Sequence, residues 1–274
     1  MRSNQASEQP AAHSCKSNFI ILFEGRAGSS YLVEALDNHP EIRCRSELLV
    51  KQRNVPRNEE RAKNPKRIVN RILSLYPRES ARHQIELVRR FYNRNNPAWL
   101  AQGFKTKVSD ILDMMAMRQV LESISVKAIV LCRRNLIKQA VSHLTARRLY
   151  EKTKNRNPKT GWNLYDEKDR LGPVSVDVNE LDRVLKEVLF RDRVMQAFAD
   201  LLAVPKLYLD YAELLKNKDD YFAKIFKFVG VRPFQLQSSV LKNTDNDLRR
   251  ALSNFEELKF HYRGTEFEAM LDER

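Results

Sequence analysis

The sequence predicts an α/β fold with a central parallel sheet flanked by helices. Three observations predict it. Four short apolar runs, Phe19 to Glu24, Ala101 to Val108, Val126 to Cys132 and Lys206 to Asp210, are continuous rather than alternating, as in strands buried on both faces. Helical periodicity fills the intervals between them, which favours parallel strands joined by right-handed crossovers. Only 7 glycines among 274 residues argue against a β-rich or low-complexity chain.

Each element has its own justification. Residues 1–17 are polar, contain no apolar signal-peptide core, and read as a flexible leader. The first strand runs into EGRAG, and Ser29 and Ser30 then open a helix whose apolar face holds Leu32, Val33 and Leu36. Asn38, His39 and Pro40 stop it. Residues 51–66 are almost entirely charged or polar and read as an inserted, solvated loop. After the third run, Arg133 and Arg134 lead into a helix from about Asn135 with Leu136, Ile137, Ala140, Val141 and Leu144 on its apolar face. Residues 151–173 form a second insertion, with two prolines and Trp162, long enough to be a lid or substrate loop. From Asp177 to Ala203, Leu181, Val184, Leu185, Val188 and Leu189 keep the spacing of one buried helix face. Residues 18–274 therefore read as a single domain with insertions near 51–66 and 151–173.

The bulk numbers bound the function. An apolar content of 42% supports a real core, and no apolar run approaches the roughly 20 residues of a membrane span. A net charge of +14 with a pI near 9.7 predicts attraction to anions. No zinc finger, RNA-recognition signature or zipper accompanies it, so an anionic cofactor or substrate is preferred to nucleic acid as the natural partner. Cys15, Cys44 and Cys132 fit neither a zinc site nor a disulfide framework. They point to a reducing, cytoplasmic setting, with Cys132 a buried structural thiol. Oligomeric state is not legible.

In parallel sheets ligands bind beyond the carboxyl ends of the strands. Beyond the first lies Gly25-Arg26-Ala27-Gly28-Ser29-Ser30. The helix start offers free N–H groups and a positive dipole end, the serines add hydroxyl donors, glycine admits an anion closely, and Arg26 brings a full charge. This is a phosphate pocket of P-loop-like kind, and the fold it implies has three layers. A triphosphate loop would carry longer glycine spacing followed by Lys and Ser or Thr, and both are missing. A plain N-cap serine is the structural alternative. Beyond the third strand, Arg134 and Ser142, eight residues apart, can grip one phosphate from a strand end and from two turns along a helix. A solvated basic helix end is the alternative there.

EGRAGSSYL resembles the 5′-phosphosulfate loop, and RRNLIKQAVSH the 3′-phosphate motif, of the sulfotransferases that use 3′-phosphoadenosine 5′-phosphosulfate (PAPS). KLYLDYAELLKNKDDYFAKIFKFVGV resembles the family's late strand and helix pair. LKNTDNDLRRALSNFEELKFHYRGTEF resembles the C-terminal region of the bacterial carbohydrate-type members. The resemblance implies transfer of a sulfuryl group from PAPS to a hydroxyl of a carbohydrate or other small acceptor, leaving 3′-phosphoadenosine 5′-phosphate (PAP), with no metal required. It implies a cofactor site of Arg26, Ala27, Gly28, Ser29, Ser30, Tyr31, Arg134 and Ser142, with Arg263 and Gly264 added from an Arg-Lys-Gly motif whose middle Lys is absent here. Ala27 replaces a hydroxyl residue common in the family. The implied catalytic residues are Glu47 as base, Arg26 facing the leaving phosphate, and Lys105 near the sulfuryl group or acceptor. Lys107 stands where cytosolic aryl and steroid members have a base His, which favours the Glu47 mechanism; His143 is a second candidate base. The competing expectations are a P-loop-type kinase and a non-enzymatic basic polyanion-binding protein.

Overall fold

A computed structural model describes residues 16–49, 77–94, 96–153 and 162–273. The four predicted runs form strands β1 (Ser17–Phe23), β3 (Ala101–Thr106), β4 (Lys127–Cys132) and β5 (Lys206–Asp210). A further strand, β2 (Ile42–Arg45), escaped the sequence reading. Its four residues alternate between apolar and basic, and that alternation fits its place at the edge, where it pairs with β3 alone. The strand order is β2-β3-β1-β4-β5, parallel throughout.

The helices are α1 (Ser29–Asp37), α2 (Pro77–Tyr92), α3 (Met114–Ser123), α4 (Leu136–Thr153), α5 (Val178–Leu201), α6 (Tyr211–Lys216), α7 (Lys218–Val229), α8 (Leu248–Ala251), α9 (Phe255–His261) and α10 (Glu268–Asp272). Their starts follow local chemistry. Asp113 and Asp177 accept from the N–H groups of Ala116 at 2.9 Å and Glu180 at 2.8 Å, and Asn135 accepts from Lys138 at 2.8 Å. Gly230 closes α7 in the left-handed conformation, at φ 79°.

The pleat of β1 divides the core. Phe19, Ile21 and Phe23 face α1 and α7, where Leu32, Leu36, Phe222, Ile225 and Phe226 meet them. Ile20 and Leu22 face the other way, against Val88 and Tyr92 of α2, Met117 and Leu121 of α3, and Met195 and Phe198 of α5. Each such buried apolar side chain contributes roughly 1.5–3 kcal/mol. A third cluster lies beyond the sheet, where α4 and the first half of α5 pack on α8, α9 and α10 through Ile137, Val141, Leu181, Leu185, Phe255 and Leu258. Leu181, Val184, Leu185 and Val188 are buried as their spacing predicts, while Leu189, at the margin of that face, is only partly buried. Cys132 is half-buried rather than buried; Cys44 is buried, and both thiols are free.

The charged insertion 51–66 lies outside the described residues, as do 1–15 and 154–161. The described part of the second insertion is tied to the C-terminal region. Leu241 N–H donates to the Leu164 carbonyl at 2.8 Å, and Arg170 donates to the Lys242 carbonyl at 2.7 Å.

Candidate active site

The strand order reverses beside β1: the chain crosses from β1 to the β2–β3 side and returns to β4 on the other. The loops after β1 and β4 therefore flank one crevice, the usual ligand position in such sheets. The loop after β1 is held from beneath. Gln139 Nε2 donates to the Gly25 carbonyl at 2.8 Å, and an Arg133 guanidinium N–H donates to that of Arg26 at 2.9 Å. Gly28 is the N-cap of α1 at φ 79°, with no side-chain cap bond, so Ser29 and Ser30 lie inside the helix rather than capping it. The ring of Tyr211 covers Gly28 so closely that a Cβ would stand 2.4 Å from it. Arg26 sits at φ 71°, a left-handed conformation costly to a residue with a long side chain. Ala27 is 1% exposed and packs into the core, where a hydroxyl would have to find a partner.

Lys105, near the end of β3, aims at the start of α1. Its Nζ lies 3.1 Å from Ser30 Oγ and 3.3 Å from Ser29 Oγ, and 3.7 Å from a Glu47 carboxylate oxygen. Lys105 is 3% exposed, and burial pulls its pKa down while Glu47 pulls it back. Arg43, close to Glu47 in sequence, pairs with Asp37 at 3.0 Å.

Arg26 and Ser142 meet directly: Arg26 Nε donates to Ser142 Oγ at 3.1 Å, and its Nη1 to the Trp162 carbonyl at 2.5 Å. Ser142 is buried, not solvated. Burial, then the neighbouring Arg133, lowers the Arg26 pKa to about 10, which leaves it cationic at neutral pH. The two adjacent arginines after β4 part company. Arg133 stacks over Tyr211, 5.0 Å from the ring centroid, and lines the crevice. Arg134 is 85% exposed and pairs with Asp210 at 3.0 Å, so the structure does not bring it beside Ser142. Arg263 and Gly264 lie at the exposed end of α9, apart from the crevice lining, with the Gly264 N–H donating to Glu268 at 2.8 Å.

The crevice opens into a cavity of about 580 Å³, the size of a nucleotide site. The loop after β1, Tyr31, Arg133, Ser142, Tyr211, Lys218 and residues of the segment 236–244 line it. Tyr211 follows the last residue of β5, so the rule about strand ends could have found it. Lys242, Asn243 and Thr244 stand in the stretch that resembles the C-terminal region of the carbohydrate-type members, but the resemblance gives them no role, and they are part of no regular element. Beyond Arg26 stand His143, Tyr150 and Trp162. Trp162 stacks on Tyr150 at 5.9 Å with 7° between planes and lies 6.0 Å from His143. Burial lowers the His143 pKa, and Arg26, Arg191 and Lys107 lower it further. Among the described residues no cluster of metal-ligating side chains is present.

No family model matches the chain. Over 253 residues, 90% of this chain and 89% of the other, it is 27% identical to Nodulation protein H of Rhizobium tropici. The resemblance to sulfotransferases is borne out. Three solved structures align as well. One is a sulfotransferase from Alicyclobacillus acidocaldarius, with TM-score 0.46, 12% identity, and coverage of 93% of this chain and 96% of the other. The second is the sulfotransferase domain from the curacin biosynthetic pathway, with TM-score 0.40, 14% identity, and coverage of 93% and 89%. The third is the sulfotransferase domain of the Synechococcus PCC 7002 olefin synthase, with TM-score 0.36, 15% identity, and coverage of 97% and 90%.

Proposed function

We propose that this chain is a sulfotransferase that uses PAPS and sulfates a hydroxyl of a carbohydrate or similar small acceptor. The observation that carries the reading is the convergence on Lys105. One buried ammonium is shared between the two hydroxyls that open α1 and the carboxylate of Glu47. That arrangement places positive charge, helix-terminal N–H groups and a carboxylate together at the start of α1, where Ser29 and Ser30 line the nucleotide-sized cavity.

The residues suit an anionic nucleotide. Gly28 admits close approach, Arg26 and Arg133 bring charge, and buried polar atoms of Lys242, Asn243 and Thr244 have no hydrogen-bond partner among the described residues. Arg26, Ala27, Gly28, Ser29, Ser30 and Tyr31 would hold the 5′ end, and Arg133 and Ser142 the 3′ end. Arg134 joins them only by turning away from Asp210. When bound, PAPS supplies the sulfuryl group. Glu47 takes the acceptor's proton, while Lys105, Arg26 and the N-terminus of α1 balance the negative charge that grows toward the leaving phosphate. The stacked Trp162 and Tyr150 offer an apolar face for a sugar ring on the far side of Arg26. The free thiols Cys44 and Cys132 support a cytoplasmic setting.

Thermal melting tests the reading. PAP should raise the melting temperature selectively, with ATP–magnesium as control. A rise with ATP–magnesium alone would favour a kinase. No shift with either would favour a basic polyanion-binding protein, whose binding should weaken steeply with salt.

A further inference from the structure

Beyond Arg26, outside the cofactor cavity, four segments bring charge and aromatic surface together. His143 and Tyr150 come from α4, Arg183, Glu187 and Arg191 from α5, Lys107 from the residue after β3, and Trp162 from the second insertion. α5 packs on α4 and on the single turn Val108–Asp110 that directly follows Lys107. None of these side chains lines the cavity, whereas Arg26 and Ser142 do. The Trp162 carbonyl accepts from Arg26 Nη1 at 2.5 Å. This surface therefore begins at the guanidinium assigned above to the leaving phosphate, which is where an acceptor has to lie.

The cations of this surface are short of partners. One carboxylate, Glu187, is shared by Arg183 at 2.7 Å and Arg191 at 3.4 Å. Lys107 forms no ion pair among the described residues, and its Nζ lies 5.8 Å from the centroid of the Phe23 ring. Glu24 is buried nearby at the end of β1, yet it forms an ion pair with neither Lys107 nor Arg191 and leaves Oε1 without a hydrogen bond. The charges of Arg26, Arg191 and Lys107 all bear on His143, opposed by Glu187. Arg26 answers to the cofactor. Lys107 and Arg191 have no such duty, and both are half-buried, where water screens a charge less and an incoming anion is held more strongly. Beside them Trp162 and Tyr150, stacked with 7° between planes, are 49% and 37% exposed. Exposed parallel rings suit the apolar face of a pyranose, and cations next to them suit an acid on the same sugar.

We propose that the acceptor is an acidic sugar, a uronic acid or a glycan that contains one, whose ring lies on Trp162 and whose carboxylate is held by Lys107 and Arg191. This deepens the sulfotransferase reading and rests on it. Arg191 can turn from Glu187 to the substrate at small cost, because Arg183 keeps Glu187 paired. Selection then follows charge: a neutral sugar gains the rings but leaves both cations as they were.

Titration calorimetry on the PAP-bound protein tests this with cellobiouronic acid and cellobiose, which differ by one carboxylate in place of a hydroxymethyl group. The acid should bind about tenfold more tightly or better. Lys107→Met and Arg191→Met should each bring the two affinities to within about threefold of one another, with cellobiose and PAP binding close to wild type. Trp162→Ala should weaken both sugars by a similar factor. Equal affinity for the two disaccharides in the wild type, or binding of neither, would overturn the proposal. So would a loss in Lys107→Met and Arg191→Met that is the same for both sugars, since it would assign these cations to the fold or to the sulfuryl group. PAP binding without a preference for the acid sinks this inference alone. A protein that does not bind PAP would sink the PAPS reading and this inference with it.

Discussion

Lys105 shows how much one side chain can organise. An ammonium that is 3% exposed is expensive to desolvate, and two serine hydroxyls plus one carboxylate at 3.7 Å are modest compensation. Such a group gains most when further negative charge arrives beside it. Glu47 is both its partner and the proposed base, so Glu47→Gln should act on turnover before binding. We expect kcat to fall by about 10²- to 10⁴-fold while PAP affinity changes little, measured by acceptor sulfation and by calorimetry. Unchanged turnover would remove Glu47 from the base role. The same scale shows a limit of sequence reading. RRN presents two equivalent arginines, and Arg-to-Ser spacing selects Arg134. In the fold, successive side chains at a strand end point to opposite sides, and it is Arg133 that stacks on Tyr211 and lines the cavity.

The element that matters most is the loop between β1 and α1. Its two left-handed residues, Arg26 at φ 71° and Gly28 at φ 79°, present the start of α1 to the crevice. Gly28→Ala would set a Cβ 2.4 Å from the Tyr211 ring on top of the left-handed strain. Gly264, at φ 73° with nothing within 4 Å, is the internal control. Gly264→Ala should cost only the backbone term, about 1–2 kcal/mol. Gly28→Ala should lower the melting temperature further and abolish PAP binding. Equal losses in the two variants would mean that the Tyr211 contact is not a constraint. The phosphate loop was legible because strand, glycine turn and helix are contiguous. β2 was not, because four alternating residues carry too weak a signal.

At the scale of the molecule, few acids are buried among the described residues, and one of them is misplaced for stability. Glu24 is 4% exposed, and burial lifts its pKa from 4.5 to about 7 against the pull of Lys107 and Arg191. The folded pKa exceeds the unfolded one, so the stability linked to this proton is fully present below pH 4.5 and is lost as pH rises through about 7. The difference is worth at most about 3 kcal/mol. Glu24→Gln should therefore raise the melting temperature at pH 8 more than at pH 5, and an equal change at both would refute the linkage. No helix among the described residues is long and apolar enough to cross a membrane.

The sequence by itself determined the parallel α/β architecture and the position of the glycine loop between the first strand and helix; it paired Ser142 with Arg134, where the fold pairs it with Arg26. The architecture and the loop rest on short-range signals: continuous apolar runs, helix periodicity, and donors clustered within a few residues. Only the tertiary structure decided which of two arginines faces the cavity, that Lys105 joins Glu47 to the helix start, and that Arg263 and Gly264 lie elsewhere. It alone brought Lys242, Asn243 and Thr244 into one cavity lining with Ser142, 100 residues or more from it in sequence. An irregular segment has no period to read, and its unpaired polar atoms become evidence only once burial has removed water as their partner.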